Sequence, residues 1–331
     1  MVSLTGAESI NWGIAATGKI AGQFAQAFPN LDDGSVLAAV CSRRAETADR
    51  FAAEHGIPSA HPRYEDLAAD PLVDVVYIAS LQPSHADDAV MFLEAGKHVL
   101  VEKPMALSIA QVEQMTAAAV ANDRFLMEAM WMRFNPGPVE AVRRIHAGEI
   151  GAVTGLDIDF TIDVDPDPDH RLRSLAKGGG ALLDLGIYPL TLATWIMGMP
   201  VGYSASGEVV AGVDTQCTID AEFAGGVEGR LSCGLNGTGS VAAVITGTGG
   251  SLTLHAPFHA ASTLTIATAD GDVREEVLTE PGSLHHQVGA VNQCLRAGER
   301  QCSAHPWARN REVLGICDDV RSDLGVRYPD E

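Results

Sequence analysis

At 331 residues the chain is too long for one small core and suits two domains, and its 46% hydrophobic and 20% charged side chains exclude a disordered polymer. Forty-three acidic side chains against 22 basic ones, a formal charge of −21, argue against nucleic acid and anionic membrane surfaces as partners. A phosphate-bearing cofactor would therefore need a pocket with positive groups of its own.

Six cysteines without a C-x-x-C pair, and a start at Met1–Leu4 with no basic run leading into an apolar one, read as reduced thiols in a cytoplasmic protein. No unbroken apolar segment reaches the roughly 18–20 residues of a membrane span. The nearest candidate is interrupted by Gly and Pro around Gly186–Pro200.

In chain order, short apolar runs at Ile10–Ala16, Val36–Cys41, Val73–Ala79, His98–Val101 and Phe125–Ala129 predict strands. Helical periodicity over Lys19–Phe28, Arg44–His55, His85–Ala95 and Ile109–Ala121 separates them. This alternation implies βαβ units and an α/β Rossmann domain with a doubly wound parallel sheet over residues 1–130.

After Pro136 and Pro138 the pattern changes to a helix near Val139–Ala147, a strand at Val153–Phe160, an acidic stretch Asp163–Asp169 and a helix over about Ala181–Met197. Alternating segments at Thr218–Phe223, Val227–Cys233, Val241–Thr246, Ser251–His255 and Leu264–Ala267, spaced by glycine-rich turns, predict antiparallel strands. Helices over about Leu284–Ala297 and Pro306–Leu324 close the chain. Residues 131–331 thus read as an α+β domain with an open, mainly antiparallel sheet, serving substrate binding and oligomerisation, its C-terminal helix packing back on the first domain.

The first strand runs into Gly13-Ile14-Ala15-Ala16-Thr17-Gly18-Lys19-Ile20, a G-x-A-x-x-G turn opening a helix. Gly13 would permit the tight turn, Ala15 close approach to a pyrophosphate, and Gly18 close helix–sheet packing, with Thr17, Lys19 and Ile20 around the helix N-terminus. The second strand ends in Ser42-Arg43-Arg44 where NAD-specific folds carry an acidic residue. Paired guanidinium groups suit a 2′-phosphate, so NADP is expected over NAD. A solvated helix start would explain the same arginines and leave NAD possible.

Lysines are scarce, only Lys19, Lys97, Lys103 and Lys177. Lys103 stands in Glu102-Lys103-Pro104 at the end of a buried strand, at the carboxyl edge where such sheets bind ligands, so it is placed to exchange a proton with a substrate hydroxyl.

Together with Gly178-Gly179-Gly180-Ala181-Leu182-Leu183-Asp184-Leu185-Gly186-Ile187-Tyr188-Pro189, these runs resemble the Gfo/Idh/MocA oxidoreductase family across both domains. The run Phe125–Phe134 is similar to the branch of dimeric dihydrodiol dehydrogenases and NADP-dependent xylose dehydrogenases. The resemblance implies a dehydrogenase acting on a sugar, polyol or trans-dihydrodiol, with Lys103 as the family's lysine and a cis Lys103–Pro104 bond. Where many members carry histidine after the Asp-x-Gly run, this chain has Tyr188, four residues beyond Asp184.

A phenol beside an ammonium can take a hydroxyl proton as hydride leaves the same carbon. Lys103 and Tyr188 are thus the expected proton-exchanging pair, which of the two takes the proton being open, with Asp184 holding substrate or orienting the lysine. The resemblance also sets Ser80, His85 and Glu102 near the cofactor; His85 reads equally as part of a first helical turn capped by Ser84.

Trp131 and Arg133 could floor a substrate pocket, and Arg171 and Arg173 could reach substrate from the second domain. The aspartates Asp163, Asp165, Asp167 and Asp169 lack the glycine and glutamate of a calcium loop, and His285-His286 lack metal spacing, so no metal is expected. A non-catalytic NADP sensor on this fold would be expected to lack the lysine or the Asp–Tyr pair, and both are present. A sugar–sugar transhydrogenase with tightly held NADP would look the same in sequence. A homodimer or homotetramer is expected.

Overall fold

The computed structural model describes residues 4–6, 9–278 and 282–329. Six short strands, β1 (Asn11–Ala15), β2 (Val36–Cys41), β3 (Ser59–His61), β4 (Val75–Ile78), β5 (His98–Val101) and β6 (Leu126–Glu128), form one sheet in the order β3-β2-β1-β4-β5-β6. Every pairing in it is parallel. Each strand is joined to the next through helices α1 (Lys19–Ala27), α2 (Ala45–His55), α3 (Tyr64–Ala69), α4 (His85–Glu94) and α5 (Ile109–Ala121). Strands covered on both faces must be apolar throughout, and β4 and β5 read VVYI and HVLV with nearly every side chain buried.

The remaining elements are α6 (Pro136–His146), β7 (Val153–Thr161), α7 (Ile187–Met197), β8 (Gly202–Val210), β9 (Val213–Phe223), β10 (Val227–Gly234), β11 (Ala243–Gly247), β12 (Gly250–Leu254), β13 (Thr263–Thr268), β14 (Val273–Val277), α8 (His285–Ala297) and α9 (Trp307–Leu324). Strands β7 to β14 make an eight-stranded sheet in the order β14-β13-β12-β11-β7-β10-β9-β8. All its pairings are antiparallel except β7 with β10, which places the first strand in the middle as the seam between two meanders. Along β9 the burial alternates Cys217 in, Asp220 out, Ala221 in, Glu222 out, as a sheet covered on one face requires.

The chain divides into two compact units, Met1–Trp131 with Ser283–Arg311, and Met132–Gly282 with Glu312–Glu331. The segment carrying α8 therefore belongs to the first unit although it follows the second sheet in sequence. There Trp12 Nε1 donates to Asn292 Oδ1 at 3.0 Å, Arg296 pairs with Asp33 at 2.9 Å, and the Leu126 amide donates to the Arg300 carbonyl at 3.0 Å. Within the second unit Tyr328 Oη donates to the Gly179 carbonyl at 2.8 Å and Tyr203 Oη to Asp319 at 2.6 Å.

Several sequence expectations change. Leu175–Met197 is a run of 23 residues long and apolar enough to cross a membrane, so such a segment does exist; 89% of its most apolar window is buried inside the protein. It is not one α-helix: a short turn at Leu175–Lys177 and the glycines lead into a π-helical turn, Leu182–Gly186, before α7. The predicted strand Thr218–Phe223 is the second half of an eleven-residue one, and β3, α3, β8 and β14 were not anticipated.

Candidate active site

In the first unit, the strand order reverses between β1 and β4, and a cleft of about 620 Å³ opens at the carboxyl ends of β1, β2 and β4. Ala16, Thr17 and Gly18 line it after β1, Ser42 and Arg43 after β2, and Ser80, Leu81 and Ser84 after β4, with Asp88 from α4. The β3–α3 connection and the start of α3 add Pro62, Arg63, Tyr64 and Glu65. Those four could not be placed from sequence, because neither β3 nor α3 was foreseen.

The glycines act differently from the expectation. Gly13 lies within β1 at a register shift, and an added Cβ would meet the Leu67 and Val73 methyls at 3.0 Å, a tight contact. A Cβ on Gly18 would meet open space. The tight turn is taken instead by Ala16, whose φ of 82° is left-handed and whose amide donates to the Cys41 carbonyl at 3.0 Å. Ala15 is buried at the end of β1. Gly18 is the uncapped start of α1, so the amides of its first turn, from Lys19 and Ile20 onward, point toward the cleft end without a side-chain partner.

Thr17 Oγ1 meets Ser42 Oγ at 3.3 Å, joining the first two loops. The Arg43 and Arg44 guanidinium groups are exposed with no hydrogen-bond partner among the described residues, and only Arg43 lines the cleft; Arg44 heads α2. Arg63 is already held by Asp66, Nη2 to Oδ1 at 2.6 Å. Ser80 Oγ donates to Asp88 Oδ2 at 2.6 Å, and burial raises the Asp88 carboxyl above its ordinary pKa against the pull of that hydrogen bond.

Lys103 is half-buried at the end of β5, and the Lys103–Pro104 bond is cis. Glu102 is buried beside it, accepting from Tyr77 Oη at 2.5 Å and from the Lys103 amide at 3.1 Å. His85 lies beneath this loop, 1% exposed, its ring nitrogens 2.9 Å from the Pro104 carbonyl and 3.1 Å from the Ser80 carbonyl. Burial pushes the imidazole pKa down against the pull of those two carbonyls.

In the second unit, the π-helical turn carries Asp184, 5% exposed, and Tyr188, also 5% exposed, stands in the first turn of α7. A π turn shifts the residues after it around the helix, so the four-residue spacing does not by itself set both side chains on one α-helical face. Arg171 grips Asp184 with both terminal nitrogens, Nη1 to Oδ1 at 3.0 Å and Nη2 to Oδ2 at 3.2 Å, a bidentate pair in which the exposed arginine holds a buried carboxylate.

The turn is capped by Asp214, whose Oδ2 accepts the Leu182 amide at 2.6 Å. Tyr188 packs against Phe160 and His259, ring centres 5.4 and 4.9 Å away, and the His259 ring stacks on Phe160 at 4.7 Å. Neither partner carried a sequence signal, since both come from distant segments.

Arg133 lies 3.7 Å over the Trp195 ring, while Trp131 is half-buried. Arg173 is committed elsewhere, donating to the carbonyls of Val164, Asp165 and Leu235 and to Asn236 Oδ1 at 2.6–3.1 Å, so it braces the acidic loop rather than presenting a free cation. Asp165 and Asp167 each accept the amide two residues on, which accounts for them as turn formers.

A parallel sheet in this strand order, with a cleft at its reversal point and a helix start beside it, is the architecture of a dinucleotide-binding domain. Residues 10–130 match the oxidoreductase family with an NAD-binding Rossmann fold, and residues 139–253 match the GFO/IDH/MocA C-terminal domain. The chain belongs to the Gfo/Idh/MocA oxidoreductase family and is an NAD(P)-dependent dehydrogenase.

A trans-1,2-dihydrobenzene-1,2-diol dehydrogenase from Mus musculus is 33% identical, covering 98% of this chain and 99% of the relative; its Xenopus tropicalis counterpart is 32% identical over 96% and 99%. Among solved structures, a levoglucosan dehydrogenase in complex with NADH and levoglucosan superposes with TM-score 0.86 at 21% identity, covering 96% of this chain and 97% of that one. A 3-ketoreductase from Actinomadura kijaniata, in complex with NADP and TDP-benzene, gives 0.82 at 25% over 95% and 97%.

Proposed function

We propose that the protein is an NADP-dependent dehydrogenase that moves hydride between nicotinamide and a hydroxyl-bearing carbon of a trans-dihydrodiol, sugar or polyol, with Lys103 and Tyr188 exchanging the hydroxyl proton. The dihydrodiol leads this set because relatives matching nearly the full length carry that name.

The observation that carries the NADP reading is Arg43: a guanidinium in the cleft, without a partner among the described residues, beside the Thr17 and Ser42 hydroxyls. These groups suit a 2′-phosphate, the first turn of α1 suits a pyrophosphate, and NAD, lacking the phosphate, would leave Arg43 unused. Glu65 and Asp88 share the cleft, and the Asp88 carboxyl is engaged by the Ser80 hydroxyl. Bound there, the cofactor supplies the hydride acceptor or donor.

For the protein's own part, Lys103 holds a positive charge at the sheet edge, favouring an alkoxide-like oxygen on the substrate. Tyr188 offers a phenol whose ring is braced by Phe160 and His259. Asp184, held by Arg171, orients substrate hydroxyls. Trp131 and Arg133 complete the substrate contacts in this reading. A homodimer or homotetramer built on the second sheet fits the groove of about 920 Å³ crossing its uncovered face, lined in part by Tyr203, Asp220 and Arg230, and light scattering tests it.

The test of function is the absorbance of reduced nicotinamide on incubating the enzyme with NADP, or with NAD, and trans-dihydrodiols, aldoses, inositols and anhydrosugars. Turnover with NADP is expected, and Lys103→Met should cut it about 100- to 10,000-fold, the contribution of general acid–base catalysis, with NADP binding retained. Unchanged turnover in that variant refutes the assignment.

A further inference from the structure

Beneath the loop that carries Lys103 lies a polar cluster the reading above does not use. Glu128, at the end of β6, is 2% exposed. Its Oε1 accepts the Met105 amide at 2.7 Å, and its Oε2 accepts from His305 Nε2 at 2.8 Å and Asn310 Nδ2 at 2.7 Å. His305 and Asn310 are 1% and 2% exposed and lie 3.1 Å apart, Nε2 to Nδ2. A buried carboxylate is costly unless its oxygens are filled with donors, and here three donors fill them.

The arrangement is directional. Two donors come from the 305–310 segment and fix where the carboxylate points; the third is the backbone two residues past Lys103. From the other side, His85 lies against the Pro104 carbonyl. The main chain at Pro104 and Met105 is therefore held at both its acceptor and its donor, by His85 and Glu128. An apolar side chain at 128 would fill the space as well, so packing alone does not call for a carboxylate.

We propose that Glu128, oriented by His305 and Asn310, is a positioning residue that sets the placement of Lys103 through the Met105 amide. The inference rests on the reading of Lys103 as catalytic, and its test separates the two. Glu128→Leu removes the acceptor, Glu128→Gln keeps an oxygen for Met105, and His305→Leu leaves the carboxylate but removes one of the two donors to Oε2.

The readouts are amide exchange of the peptide over residues 102–107, acetylation of Lys103 by acetic anhydride across pH, with exposed Lys19 as internal standard, and turnover of trans-1,2-dihydrobenzene-1,2-diol with NADP. In Glu128→Leu the Met105 amide should exchange about tenfold faster, as loss of a charge-assisted hydrogen bond predicts. The pH profile of Lys103 labelling relative to Lys19 should shift, and kcat should fall about 100-fold, the scale of a small misplacement, at unchanged NADP affinity. Glu128→Gln should restore both labelling and kcat toward wild type.

A folded Glu128→Leu protein with lowered Tm but wild-type labelling of Lys103 overturns the proposal and leaves Lys103 catalysis standing. An active Lys103→Met protein overturns the catalytic reading instead. Should Glu128→Leu not fold, His305→Leu is judged by the same labelling, which needs no turnover.

Discussion

Asp214→Asn is the substitution whose effect can be worked most directly from the structure. Asp214 is fully buried, its Oδ2 caps the π-helical turn through the Leu182 amide, and its Oδ1 has no hydrogen-bond partner among the described residues. Burial drives the carboxyl pKa up from the ordinary 3.8 to about 6, with the Leu182 amide and the Arg321 charge pulling the other way. A rise of about two units corresponds to about 3 kcal/mol between protonation states.

Because the folded pKa lies above the unfolded one, the native state binds more protons between about pH 4 and 6. Stability from this group is thus complete below about pH 4 and lost as pH rises through about 6. Asparagine keeps an oxygen for Leu182 and cannot ionise. Amide exchange of peptides spanning 181–197, followed from pH 4 to 7 in wild type and variant, isolates the effect of Asp214, since every other titrating group is common to both. The variant should gain about 3 kcal/mol of protection relative to wild type across that window. A difference that stays constant with pH would show that burial at Asp214 does not govern the segment.

Two further outcomes are expected. Arg43→Ala should raise the Kd for NADP about tenfold while leaving NAD binding unchanged, by calorimetry, because only the phosphate uses an exposed guanidinium; equal loss for both nucleotides would place Arg43 elsewhere than at the 2′-phosphate. Gly180→Ala should destabilise the protein by about 1–3 kcal/mol in thermal unfolding, since Gly180 has φ +145° and an added methyl would crowd Asp214 Oδ1 and approach Tyr328 Oη at 3.1 Å.

The first sheet was legible because strands buried on both faces leave continuous apolar runs, and β2 and β5 match their predicted limits. β3 reads SAH with no buried side chain, and β8, GYSASGEVV, is mostly exposed, so neither leaves a hydrophobic trace. In the site, Lys103, Asp184 and Tyr188 stood out through local motifs. Their supports did not: Arg171 to Asp184, His259 to Tyr188 and His305 to Glu128 join residues 13, 71 and 177 positions apart, and only folding reveals such pairs. The glycine motif was read correctly as a turn, but the left-handed residue is Ala16, which its side chain would not suggest.

Neither compact unit is continuous in sequence, and this bears on how the protein is made. On a ribosome, N-terminal domains ordinarily fold as they emerge. Here the partners of Trp12 and Asp33, Asn292 and Arg296, arrive only after the whole second sheet has been synthesised, and Tyr203 and Gly179 wait for Asp319 and Tyr328. Both units are completed only by residues after 282, so a nascent chain halted before them leaves both open, and a fragment cut near residue 130 carries a nucleotide-binding sheet with its closing segment missing.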